Sequence, residues 1–139
     1  MQTFLEYYER EIQPQIAAID LFLKTEEPPY DSNTVAELLD ISVEEKDRFL
    51  AEEKISFITR GVFFRLMEQG SAPLCGMFRR AVALGCPKEY TTEAVSYIFG
   101  LEPDTVQKAS EKLGIDTFTE EMLPKLFSKI SLAETRFLF

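Results

Sequence analysis

The chain has 139 residues, a hydrophobic fraction of 45% and a formal net charge of −9 at pH 7. This length suits one domain, and the hydrophobic fraction argues against intrinsic disorder. No stretch approaches the ~18 uncharged apolar residues of a membrane span, and residues 1–10 lack the apolar block of a secretion signal. We therefore expect a single cytoplasmic domain, residues 1–139, that does not associate with a membrane.

The residue types that most enzymes need are missing. The sequence has no histidine, which excludes nucleophile systems that depend on a histidine base. Its two cysteines, Cys75 and Cys86, cannot complete a structural zinc site alone, and we expect two separately buried thiols. The six glycines are scattered singly and form no phosphate-binding loop. We expect no catalytic residue, cofactor or metal ion; a reaction that uses only carboxylates or Mg²⁺ is the enzymatic alternative.

The N-terminal third predicts three helices. Apolar residues recur every three or four positions from Leu5 to Leu23, and Pro14 should kink or restart this first helix. Breaker residues over 26–33 predict a loop. Two capping boxes follow, with Thr34 and Ser42 as the N-cap residues, and they predict a short helix, a tight turn and another helix.

The rest of the chain is also expected to be helical. The pattern predicts helices at about 59–69, 73–85, 91–99, 103–113 and 119–129, and in the C-terminal tail. Residues 56–59 are the only short strand candidate. The predicted fold class is all-α, a compact bundle of about seven to nine helices.

Residues 32–69 align without gaps on residues 92–129, and apolar positions mostly meet apolar positions. Val35 meets Val95 and Ile41 meets Leu101. We therefore predict an internal repeat of residues 12–69 and 72–129; the alternative is two unrelated helical segments that happen to be in phase.

Each half resembles a helix-turn-helix motif. In the second copy Ser96 is the small residue where two helices touch, and Gly100 occupies the turn. The first copy has Ala36 as the small residue, but Asp40 replaces the turn glycine and Lys46 stands at an apolar position. The resemblance is to this general motif alone and implies no specific family.

The charge of the second helix in each copy disfavours DNA binding. Residues 42–54 carry five acidic and three basic side chains, and residues 102–112 carry three acidic and two basic ones. Lys and Arg contacts to phosphate supply much of the affinity for DNA. Helices with a net negative charge are therefore poorly suited to bind in the major groove of DNA. The alternative is a DNA-binding regulator that uses residues 92–113, with Gln107, Lys108 and Lys112 at the major groove.

Residues 54–90 are basic, with six basic and two acidic side chains. They form a candidate patch for an anion or an acidic partner, which comprises Arg60, Arg65, Arg79, Arg80 and Lys88. The other interpretation is that these side chains pair with the acidic flanks of the same chain.

Together these features predict a non-enzymatic, helical protein–protein interaction or regulatory module. Its acidic surfaces should steer basic partners, and the sequence does not identify the partner. The apolar end, Phe137-Leu138-Phe139, is expected to dock on the core or on a partner.

Overall fold

A computed structural model of the chain describes residues 2–134, and these residues are mostly helical. The α-helices are α1 Phe4–Tyr7, α2 Gln13–Thr25, α3 Ser32–Leu39, α4 Val43–Glu52, α5 Arg60–Gln69, α6 Pro73–Ala83, α7 Thr92–Phe99, α8 Pro103–Leu113 and α9 Leu123–Phe127. A π-helical turn, Tyr8–Ile12, joins α1 to α2, and 3-10 helices cover Glu120–Met122 and Leu132–Glu134. The predicted all-α class is confirmed. The predicted docking of Phe137-Leu138-Phe139 lies outside the described residues.

One small antiparallel sheet was not predicted. Strand β1, Glu89–Thr91, pairs with strand β2, Thr117–Thr119, and Tyr90 lies opposite Phe118. Three residues are too few to show a period-two pattern, which explains why the sequence did not reveal these strands. The strand candidate at 56–59 forms only an isolated bridge, between Ile58 and Tyr30.

The chain divides into two compact units. The central unit is Gln13–Arg79, and among the described residues the terminal unit combines 2–12 with 80–134. The first boundary lies between the π-helical turn and Gln13, one residue before Pro14, whose missing amide N–H interrupts the helical hydrogen-bond ladder.

Aromatic rings occupy the core of each unit. In the central unit the Phe22 ring lies 4.8 Å from Tyr30 and 5.9 Å from Phe63, between ring centroids. In the terminal unit the Phe127 ring lies 4.8 Å from Phe4, in an edge-to-face arrangement. Such ring pairs add directional contacts to the apolar surface that they bury.

The start of α3 differs from the predicted capping box. Asp31, not Thr34, is the N-cap residue, and its carboxylate accepts hydrogen bonds from the Thr34 amide at 2.9 Å and the Thr34 hydroxyl at 2.8 Å. Thr34 was a wrong prediction because an aspartate three residues earlier offers an equally good cap. The predicted cap at Ser42 is confirmed: its hydroxyl accepts from the Glu45 amide at 3.0 Å.

The two cysteines differ in exposure. Cys75 is fully buried, and burial raises the pKa of its thiol to about 11. Cys86 is exposed, so the prediction of two buried thiols is wrong for this residue. The reason is that α6 ends at Ala83, before it can carry Cys86 into the core.

Gly70 allows α5 and α6 to pack closely in the central unit. A Cβ atom at this position would lie 2.5 Å from the Cys75 Sγ and 3.3 Å from the Ile41 Cγ2. Both neighbours are buried or nearly so, and the sulfur has little space in which to retreat. The absence of a side chain at residue 70 is therefore a packing requirement.

We expect the substitution Gly70→Ala to lower the free energy of unfolding by about 1–3 kcal/mol, because it overpacks a closed part of the core. Gly61→Ala is the matched control, since its Cβ would lie no closer than 3.9 Å to Thr59 Oγ1. That change should leave stability unchanged or raise it by up to about 1 kcal/mol. Urea denaturation followed by circular dichroism measures both; equal effects would show that Gly70 is not closely packed.

Candidate functional site: the outer face of α4 and its cleft

A tight left-handed turn positions α4 in the central unit. Asp40 has φ 56° and ψ 42°, and the Ile41 amide donates to the Ala36 carbonyl at 3.1 Å. Aspartate is one of the few non-glycine residues that adopt this conformation readily. The turn places Ile41 and Ala36 in the core and therefore fixes which side of α4 is turned outward.

Lys46 points into the protein, although it is a charged residue of α4. It is only 3% exposed, and its ammonium lies 3.1 Å from Ser32 Oγ, 3.2 Å from Asn33 Oδ1 and 2.7 Å from Asp47 Oδ1. Hydrogen bonds from Thr34 lower the pKa of Asp31, and the nearby Lys46 charge acts in the same direction. The only lysine within α4 is thus committed to the start of α3 and is not available to a ligand.

The outward face of α4 is acidic as a consequence. Glu44, Asp47 and Glu52 are exposed, and Glu53 follows directly after the helix. Arg48 is the one exposed cation within α4. The longer segment of residues 26–53 contains ten acidic and two basic side chains, so the negative potential extends beyond the helix.

A cleft of about 400 Å³ opens between α4 and α5. Its lining mixes apolar, acidic and hydroxyl side chains with one cation; the residues are Ser42, Glu45, Arg48, Phe49, Glu52, Leu66, Gln69, Gly70 and Ser71. We call this cavity the α4–α5 cleft.

Glu45 lines the α4–α5 cleft and contacts the loop that follows α5. Its carboxylate accepts the Ser71 amide at 2.9 Å and the Ser71 hydroxyl at 2.6 Å. In a capping box the glutamate three residues after the cap accepts from the backbone amide of the cap residue, here Ser42. In the structure the Glu45 carboxylate accepts from Ser71, in the loop after α5, instead. Glu45, Phe49 and Glu52 are spaced at i, i+4 and i+7 along α4, which places them on one side of the helix.

The five residues of the predicted basic patch are distributed over both units. In the central unit, Arg60 donates to the Leu23 carbonyl at 3.5 Å and lies 6.0 Å from the centre of the Phe64 ring. Arg65 forms an ion pair with Glu53.

Arg79 and Arg80 contact helix ends in different units. Arg79 donates to the carbonyls of Glu68 at 2.9 Å and Gly70 at 3.3 Å, at the end of α5. Arg80 donates to the Ile98 carbonyl at 3.0 Å, near the end of α7 in the terminal unit. Lys88, in the terminal unit, is exposed. The four arginines thus make contacts within their own units.

The residues of the alternative DNA-reading helix lie on α8 in the terminal unit. Gln107 donates to Glu111 Oε1 at 3.3 Å and accepts the Thr92 hydroxyl at 3.4 Å. Lys108 and Lys112 are exposed on the same helix. The side-chain amide of Gln107 is therefore already engaged within its unit.

Within residues 2–134, no three or more cysteine and carboxylate side chains are grouped so as to hold a metal ion. None of the helices in this range is long and apolar enough to span a bilayer. Comparison of the chain with protein-family models, with curated proteins and with solved structures found no match.

Lys46 offers a direct test of this arrangement. We expect Lys46→Glu to lower the free energy of unfolding by about 3–5 kcal/mol, because it buries a carboxylate beside Asp47 without a partner. Lys24→Glu is the control: Lys24 is exposed and forms a surface ion pair with Asp20 at 2.8 Å, so its cost should stay below about 1 kcal/mol. If urea denaturation gives the two variants the same stability, the Lys46 ammonium is not buried in solution.

Proposed function

We propose that this is a cytoplasmic, non-enzymatic binding protein that recognises a basic protein partner through the outward face of α4. The observation that carries the proposal is the division of charge on this helix. Lys46 is buried on internal oxygens, whereas Glu44 and Glu52 face solvent. A basic polypeptide is attracted to such a surface, and a nucleic acid is repelled by it.

We also infer that the two units contain copies of one helix-turn-helix-like module, as the alignment predicts. Equivalent residues, 60 positions apart, have the same backbone conformation: Asp40 has φ 56° and Gly100 has φ 69°. In both turns the next amide returns to the small residue of the first helix, at 3.1 Å from Ile41 to Ala36 and from Leu101 to Ser96.

A second correspondence supports the same inference. Tyr30 pairs with Ile58 in the central unit, and Tyr90 pairs with Phe118 in the terminal unit, again 60 positions apart. Unrelated helical hairpins have no reason to share both a left-handed turn and a backbone pairing at one constant offset. On this inference Lys46 occupies the position of Val106, which is a buried apolar residue.

Helix α8 is a less suitable surface than α4 for a basic partner. The exposed charges of α8 nearly balance, because Lys108 and Lys112 oppose Asp104 and Glu111. These two lysines are also what the DNA-binding alternative relies on. Identifying which helix contacts the ligand therefore distinguishes the two functions: binding of a basic protein through α4, or binding of DNA through α8.

We expect a fluorescein-labelled arginine–serine repeat peptide to bind the full chain, and a random DNA duplex not to bind it. The variant Glu44→Gln/Glu52→Gln should weaken peptide binding about fivefold, since exposed charge pairs contribute modestly each. Fluorescence polarisation at low salt measures both affinities, and peptide binding should fall as the salt concentration rises.

The variant Asp104→Asn/Glu121→Gln is the matched control, because it removes the same charge from exposed positions of the terminal unit. It should change peptide affinity less than twofold. Equal weakening by the two double variants would argue against a site on α4. Salt-sensitive binding of the duplex that Lys108→Gln removes would instead favour the DNA-binding alternative.

A further inference from the structure

The α4–α5 cleft combines an aromatic ring with two carboxylates on one side of α4. Phe49 and Leu66 supply its apolar surface, and Glu45 and Glu52 flank Phe49 along the helix. We propose that this cleft takes an arginine or lysine side chain of the basic partner, with the cationic group next to Glu52 and the aliphatic stem on the apolar surface. This inference rests on the proposed function, and it specifies which part of the surface binds a cationic side chain of the partner.

The protein already holds a cation in a related way. The Arg65 guanidinium lies over the Phe49 ring, 5.7 Å from its centre, and pairs with the Glu53 carboxylate. Phe49 and Glu53 are four residues apart and so lie on the same side of the helix. A ring of α4 and the carboxylate that directly follows the helix therefore accommodate a guanidinium together, as cation–π attraction and charge pairing predict.

Glu52 is available for a second cation of this kind. Its side chain is exposed, lines the cleft and makes no hydrogen bond or ion pair with any residue in the range 2–134. Glu45 adds a second negative charge about two helical turns away along α4, although its oxygens already accept from Ser71. A cation next to Glu52 would pair with this carboxylate and would be attracted more weakly by Glu45, about two helical turns away.

Arg48 lines the same cleft. The direction in which its substitution changes the affinity for a ligand tests the proposal. Its guanidinium is exposed and has no hydrogen-bond or ion-pair partner among the described residues. A cationic guest is repelled by Arg48, whereas an anionic guest, such as a carboxylate or a phosphate, would depend on it. The substitution Arg48→Gln therefore moves the affinity in opposite directions for the two kinds of ligand.

The experiment measures polarisation of the labelled arginine–serine peptide with the full chain and three single variants at about 0.15 M salt, where distant charges are screened beyond roughly 8 Å. We expect Glu52→Gln to weaken binding about threefold and Arg48→Gln to strengthen it about threefold. Glu44→Gln is the comparison on the same helix: Glu44 belongs to the outward face but lies outside the cleft lining, so its loss should weaken binding less than the loss of Glu52, by up to about twofold.

If Glu52→Gln and Glu44→Gln weaken binding equally, or if Arg48→Gln weakens it, the cleft does not take the cation. The proposed function survives that result as long as Glu44→Gln/Glu52→Gln still binds less tightly than Asp104→Asn/Glu121→Gln. If the unmodified chain does not bind the peptide at all, both proposals fail. All the substituted side chains are exposed, so circular dichroism should show unchanged folding in every variant.

Discussion

The packing of α4 on α3 and the acidic charge of the outward side of α4 both depend on the burial of the Lys46 ammonium. A charge that is 3% exposed must find partners inside the protein, and it finds them in Ser32 and Asn33 at the start of α3 and in the adjacent Asp47. These bonds tie α4 to α3 on the inner side of the turn. They also withdraw a positive charge from the surface, so the outward side of the helix is left acidic.

The same helix contributes to a cavity on another side. Ser42 begins α4, Glu45 holds the loop after α5, and Phe49 lies under the Arg65 guanidinium. Each contact fixes a different turn of a ten-residue helix, which makes the α4–α5 cleft a preformed feature. Preformed sites lose less conformational entropy on binding, which suits a surface whose individual charge pairs are weak.

Much of the fold could be predicted from local pattern, and most of the site could not. Apolar spacing located the helices, and Ser42 was recognisable as a cap because its hydroxyl acts within one turn. The helix-turn-helix pattern shows Lys46 as an exception at an apolar position, but two of its three partners lie 13 and 14 residues earlier in the chain. The bond from Glu45 to Ser71 spans 26 residues and depends on the packing of α5, which local periodicity does not encode. For the same reason the basic residues of 54–90 suggested a patch, whereas contacts with helix-end carbonyls engage Arg79 and Arg80.

The most direct measurement is a map of backbone amide signals by nuclear magnetic resonance while the arginine–serine peptide is added to the full chain. We expect the signals of α4 and of Ser71 to move in a saturable way, and those of α8 to stay in place. Recognition through α4 would be contradicted if only the amide signals of α8 moved, or if no amide signal moved when the peptide was present in large excess.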